Sequence, residues 1–225
     1  MSLPVPEATR TPRTILSRRA VGGELWLVSF EAADASSHRT PGQYTWVEAE
    51  GVGGYFVLAQ RPGEDAWEII LRAGGGAADV LLRSNPGDVV QATGALGRGF
   101  PCEETRERTL VIAVPTSAYA VARPVAQWRV DRGLAKATTL LLGAKDKSDV
   151  PLSDELSALR ANGLDVIVCL SRESPNGEPG YARGYVQEIA KERLSGAPVF
   201  FVAGGTKAES GLRAAFGRAE IYSNY

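Results

Sequence analysis

Three consecutive glycines, Gly74-Gly75-Gly76, followed by Ala77 and Ala78 at the start of a short helix-forming run, are the residues of this chain best suited to meeting a ligand. Glycine lets the backbone turn sharply and brings another body close without Cβ interference. A helix start adds backbone N–H groups that lack internal partners and the positive end of the peptide dipoles, so the two together can hold a phosphate. The same residues also suit a tight β-to-α turn that holds nothing. Asp79 and Glu68 flank the turn and could be taken for a carboxylate pair, but an aspartate opening a helix beside its dipole is the commoner arrangement.

Other chemistries find less support. His38 is the only histidine and sits in a polar loop without an ordered acid partner, which argues against a Ser-His-Asp hydrolase. Neither a G-x-S-x-G elbow nor a Walker A motif is present. Cys102 and Cys169 are far apart, lack the paired spacing of a zinc or iron–sulfur site, and read as two free thiols in a reducing compartment. With 25 Lys plus Arg against 26 Asp plus Glu, the net charge of -1 makes no case for nucleic acid or an anionic membrane. No apolar run is long enough to span a bilayer and the start of the chain lacks the apolar core of a secretory signal, so a cytoplasmic protein is expected.

The elements that must carry the glycine turn fall into two groups. Residues 1–12 are proline-spaced and polar and read as a flexible lead. From residue 13 the pattern is β-rich: a hairpin around Gly22-Gly23, a strand after Pro41-Gly42-Gln43-Tyr44, another over residues 55–60, the strand at Trp67 and one over residues 89–93. Short strands at close spacing predict a small antiparallel barrel over residues 13–104, interrupted only by the helix after the glycines. Beyond Pro101 the rhythm changes. Continuous apolar runs at 109–114, 138–142, 164–170 and 198–203 alternate with helical stretches at 118–132, 153–161 and 185–194, and residues 221 and 222 could add an edge strand. This predicts a parallel α/β domain over residues 105–225, with any ligand at the carboxyl ends of its strands. Trp128 reads as packing on the first helix of that domain.

A barrel with a glycine turn, followed by a parallel α/β domain, resembles the ferredoxin–NADP reductase superfamily over nearly the whole chain. The landmarks are Pro41-Gly42-Gln43-Tyr44, the glycine turn, the Gly94-Ala95-Leu96-Gly97-Arg98-Gly99-Phe100 exit from the barrel, and Arg183-Gly184-Tyr185-Val186-Gln187. The resemblance implies that Gly74, Gly75, Gly76, Ala77 and Ala78 hold the pyrophosphate of FAD. It implies further that the strand carrying Tyr55, Phe56, Val57 and Leu58 cradles the isoalloxazine, and that the second domain brings NAD(P)H to the flavin through Thr116. Ser171-Arg172-Glu173 and Tyr185 are similar to the segment with which plant-type members hold the 2′-phosphate and adenine of NADPH, and Tyr225 stands where a terminal aromatic stacks on the flavin. Arginine can grip a phosphate bidentately, serine can donate to it, and tyrosine can stack on a purine.

The chain also departs from the family pattern. Gly54-Tyr55-Phe56-Val57 replaces an Arg-aromatic-Ser run, Ala78 stands where a hydroxyl is usual, Thr116-Ser117-Ala118 replaces a glycine-rich loop, and Ala203-Gly204-Gly205 replaces Cys-Gly-Pro. The resemblance implies an FAD-dependent oxidoreductase that exchanges a hydride with NAD(P)H, NADPH being favoured, and passes electrons to an unknown acceptor, either a protein or a small molecule. The departures allow an alternative: a reductase-fold protein that is not catalytic and acts as a binding or regulatory subunit.

Overall fold

The computed structural model describes residues 6–224. Its first sheet is antiparallel and built from β1 (Arg10–Gly22), β2 (Leu25–Glu31), β3 (Tyr44–Ala49), β4 (Val52–Val57), β5 (Ala66–Leu71) and β6 (Val89–Thr93), in the order β4-β3-β6-β1-β2-β5. The helix α1 (Ala77–Arg83) lies between β5 and β6 in the chain and packs Val80 and Leu81 into the barrel core beside Trp67, Ile69 and Val47. The second sheet is parallel throughout. It runs β10-β9-β8-β7-β11-β12, from β7 (Leu110–Pro115), β8 (Thr138–Ala144), β9 (Asp165–Leu170), β10 (Tyr181–Arg183), β11 (Val199–Ala203) and β12 (Ile221–Asn224). Helices α2 (Tyr119–Asp131), α3 (Ser153–Ala161), α4 (Val186–Arg193) and α5 (Thr206–Ala215) connect its strands.

The predicted architecture is therefore present, with local differences. β1 begins at Arg10, inside the segment read as a flexible lead, because residues 10–14 pair with β6 from Arg10 opposite Thr93 to Thr14 opposite Val89. Over those residues β1 has no pairing with β2, which starts at Ile15, so the missing N–H of Pro12 has a free side to fall on. β4 ends at Val57, and residues 58–60 cross from β3 to β5 instead of extending the strand: Leu58 N donates to Gln43 O at 3.0 Å and Ala59 N to Glu68 O at 2.7 Å. β10 and α5 have no counterpart in the sequence reading, the first being only three residues long and the second carrying a glycine and many polar residues.

The two units share one core. Val21, Leu25, Leu27, Ala59 and Ile70 of the barrel pack in the same cluster as Leu110, Ile112 and Val114 of β7 and Val121, Val125 and Trp128 of α2. Burying a large apolar side chain contributes about 1.5–3 kcal/mol, so this seam is a substantial part of the protein's stability. Backbone adds to it. The β1–β2 hairpin tip lies against the loop before α3, where Gly23 N donates to Ser148 O at 2.8 Å and Leu152 N to Val21 O at 2.7 Å. A Cβ on Gly22, which has φ +120°, would stand 2.3 Å from Val150 O, so only glycine fits.

Two ionic contacts complete the seam: an exposed pair, in which Arg61 of the barrel donates to Asp131 of α2 at 2.8 and 3.3 Å, and a buried cluster. Arg123 of α2 is buried, and its guanidinium donates to Glu155 of α3 at 2.7 and 2.9 Å, to Ala59 O at 3.0 Å and to the carboxylate of Glu68 on β5. The two carboxylates keep the guanidinium fully charged in spite of its burial. Breaking a buried pair by removing one partner strands the charge of the other. Arg123→Met should therefore cost about 3 kcal/mol in urea unfolding, and a loss near zero would show that the domains are held elsewhere.

His38 is 1 % exposed in this structure. Gln60 Oε1 accepts the Glu68 amide at 2.9 Å, so its nitrogen, 3.1 Å from His38 Nδ1, is the donor of that contact. His38 Nδ1 accepts, the proton sits on Nε2, and Nε2 is buried without a partner. Burial pushes the imidazole down to about 4. The unfolded chain takes up this proton near pH 6.5 and the folded chain only near 4, so this contribution to stability is complete above 6.5 and is lost as pH falls through that window. Between pH 7 and pH 5 the wild type should lose about 2 kcal/mol more than His38→Leu, measured by urea midpoints.

Candidate functional site

The glycine turn leads from β5 into α1. Gly75 and Gly76 have φ of +92° and +63°, and a Cβ at any of the three glycines would meet nothing within 4 Å. The turn thus presents bare backbone to open space, and Ala77 and Ala78 follow in the first turn of α1, where amides have no partner inside the helix. Asp79 changes its charge. Its carboxylate accepts from Gly74 N at 3.0 Å, and hydrogen bonds from the Gly74 and Gly75 amides hold it below the usual carboxylate range. Gly74 and Gly75 are therefore answered from within the chain, and the amides of Gly76, Ala77 and Ala78 are those left for a ligand.

β4 runs beside this turn. Pairing of Thr45 with Phe56 and Val47 with Gly54 puts Phe56 and Gly54 on the barrel side, while Tyr55 and Val57, opposite Trp46 and Tyr44, face away from the barrel interior, Val57 packing against the core the two units share. Tyr44, Tyr55 and Trp46 form a ladder of edge contacts at 5.5 and 4.8 Å between ring centres, with Trp46 lying across Gly53. At Gly54 a Cβ would come 3.3 Å from Ala77 Cβ and 3.3 Å from the Phe56 ring, so strand and helix close together there. Leu58 is fully buried in the barrel core with its amide on Gln43, and it supports the strand from behind.

A cavity of about 330 Å³ opens at the carboxyl ends of β7, β8, β9 and β11 and is closed on its far side by Glu24, Leu25 and Arg72 of the barrel. Thr116, Ser171, Tyr185, Gln187, Gly204 and Gly205 line it, as do Lys145 and Lys207. Ser171 is tied to the end of β8, its amide 3.0 Å and its hydroxyl 3.3 Å from Ala144 O. Tyr185 is 50 % exposed, its amide held by the Glu188 carboxylate at 2.9 Å, and Lys207 Nζ lies 5.1 Å from its ring centre. At the start of the α5 turn, a Cβ on Gly204 would stand 2.4 Å from Pro115, so this turn is packed close against the end of β7. Cys169 also borders the cavity, but burial pushes its thiol up to about 12, which leaves it un-ionised.

The structure thus gathers Thr116, Ser171 and Tyr185 at one cleft and Tyr55 with the Gly74 to Ala78 turn along one edge of the barrel, whereas Phe56 and Leu58 pack into the barrel core. Arg172 is exposed and is absent from the cleft wall; its amide donates to Lys145 O at 2.9 Å. Tyr225 lies outside the described residues. The sequence reading missed Arg72, Lys145 and Lys207, which belong to no motif. For the two lysines the available signal was position, since both follow a parallel strand at its carboxyl end.

A barrel bearing an open glycine turn, joined to a parallel sheet whose carboxyl ends face it across a cleft, defines the two-domain reductase class of fold. The chain is 30% identical over 183 residues to ferredoxin–NADP reductase B of Sorangium cellulosum, covering 76% of this chain and 74% of that protein. It belongs to the ferredoxin–NADP reductase family. It is also 26% identical over 162 residues to the sulfhydrogenase 1 γ subunit of Pyrococcus furiosus, covering 68% of this chain and only 55% of that relative. No family model matches the chain. Among solved structures it shares its fold with a ferredoxin NADP+ reductase from Neisseria gonorrhoeae with bound FAD and NADP, at a TM-score of 0.81 and 15% identity, covering 97% of this chain and 100% of that one. An Amycolatopsis cytochrome P450 reductase gives a TM-score of 0.81 at 21% identity, covering 96% and 70%.

The backbone of the turn fits the pyrophosphate of FAD, and its side chains supply no cation there. Asp79→Asn keeps an acceptor for Gly74 while removing the charge, so FAD should bind the variant severalfold more tightly in a flavin-fluorescence titration. Unchanged affinity would place the pyrophosphate away from this turn.

Proposed function

We propose that the chain is an FAD-dependent oxidoreductase that exchanges a hydride with a nicotinamide nucleotide and hands electrons to a separate acceptor, a protein or a small molecule. The observation that carries this reading is the placement of the Thr116, Ser171 and Tyr185 cleft opposite the barrel, at the strand ends where such ligands bind. In this reading Gly76, Ala77 and Ala78 hold the FAD pyrophosphate through backbone, with Gly74 and Gly75 shaping the turn. Tyr55 and Val57 offer the outer face of β4 to the flavin ring, and Thr116 and Ser117 receive the nucleotide pyrophosphate. Ser171 and Tyr185 take its adenosine end. Once bound, flavin and nicotinamide supply the hydride chemistry between them, and the chain supplies alignment and exclusion of water.

A second reading is favoured by specific residues. Val57 brings no hydroxyl to the flavin edge, Gly54 is closed over by Phe56 and Ala77, and Ala203, where the resemblance expects a thiol, is buried and inert. A reductase-fold subunit that binds nucleotide without turnover would tolerate all three.

Protein reconstituted with FAD should show a flavin absorption spectrum that NADPH bleaches within seconds in a stopped-flow mixer. A flavin that is retained but not bleached would select the non-catalytic reading. Failure to retain any flavin would overturn the assignment of the glycine turn.

A further inference from the structure

Resting on the reading that the cleft takes a nicotinamide nucleotide, we infer that Lys145 and Lys207 set the preference for the nucleotide bearing a 2′-phosphate, in place of Arg172. The Ser171-Arg172 pair is the sequence's apparent phosphate reader, yet only Ser171 reaches the cleft wall. The same wall carries Lys145 and Lys207, together with Arg72 and the carboxylates of Glu24 and Asp149. The backbone of residues 144–145 is laced to that of residues 171–172, Ser171 N on Ala144 O at 3.0 Å and Arg172 N on Lys145 O at 2.9 Å. This lacing ties the backbone of Lys145 to the Ser171-Arg172 step, and of these residues Lys145 and Ser171 line the cleft while Arg172 is exposed and absent from its wall.

Lys207 approaches from the other side. It follows the Gly204-Gly205 turn and places its ammonium over the Tyr185 ring at 5.1 Å, so the ring that would stack on a purine already has a cation at its face. Among the described residues neither lysine is in an ion pair, in contrast to Lys147, two residues from Lys145, which is engaged by Glu178. The cleft wall therefore carries, besides Arg72, two ammonium groups outside the ion pairs of the described residues, Lys145 on the segment laced to Ser171 and Lys207 at the Tyr185 ring. A ribose 2′-phosphate is a compact dianion that an ammonium satisfies as a point charge, with no need of a planar fork. A nucleotide with a free 2′-hydroxyl gains nothing comparable from these charges.

The test uses adenosine 2′,5′-bisphosphate and 5′-AMP, which differ only in the 2′-phosphate and need neither flavin nor turnover. Calorimetric titration of the full chain should show tighter binding of the 2′-phosphorylated probe. Lys145→Gln and Lys207→Gln should each reduce that preference by about tenfold, with 5′-AMP affinity little changed, and Arg172→Gln should leave it intact. A preference that survives both lysine variants, or collapses in Arg172→Gln, overturns the assignment, as does equal binding of the two probes by the wild type. If neither probe binds, the reading of the cleft as a nucleotide site fails with it, an outcome distinct from the others.

Discussion

The relation between the two domains depends on one buried guanidinium. Arg123 projects from the helix that follows β7, reaches Glu68 on β5 and the carbonyl of Ala59 on the segment after β4, and is backed by Glu155 on α3. A charge taken out of water is stable only when its partners are complete, so this cluster tolerates essentially one relative placement of barrel and sheet. The shared apolar seam supplies most of the attraction, but apolar contact is not directional. The ion cluster and the backbone bonds of the Gly22-Gly23 hairpin fix its register. The cleft depends on that register because Glu24, Leu25 and Arg72 of the barrel form one wall and the strand ends of the parallel sheet the others.

Within this frame the two candidate sites differ in how they are equipped. At the glycine turn the chain offers backbone, shaped by two positive-φ glycines, and meets it with its own anion, Asp79. At the cleft it offers side chains, among them three cations. Under the proposed function, binding at the turn would be governed by what the carboxylate leaves available, and binding at the cleft by charge complementarity, which falls with ionic strength as exposed charges are screened. Belonging to the ferredoxin–NADP reductase family explains why both regions exist. It does not explain their unequal chemistry, which follows from residues 54, 57, 79, 145 and 207 in this chain.

Much of the architecture was legible in the residues because it rests on local patterns. Continuous apolar runs such as Thr109 to Val114 mark strands covered on both faces, and the change from short alternating strands to strand-helix alternation past Pro101 marks the change of sheet. What escaped notice was short or locally weak. β10 has three residues and exists because it can lie beside β9, with Tyr181 opposite Val168. α5 buries only Leu212 completely, so its apolar signal is faint. At the start, Pro12 and polar neighbours hid a strand that β6 recruits from one side.

By itself the sequence determined the two sheets, the glycine turn between β5 and α1, and the family, since each depends on residues close together in the chain. Only the tertiary structure decided which side chains meet. It put Ser171 in the cleft and Arg172 outside it, brought Lys145 and Lys207 to the wall, closed Gly54 beneath Phe56, buried His38 against Gln60, and joined Glu68 to Arg123 across the seam. The physical reason is that local pattern depends on the backbone's short-range periodicity, whereas side-chain encounters depend on how two packed bodies are rotated against each other. Here that rotation is set by a buried charge whose partners are contributed by strands and helices from both halves of the chain.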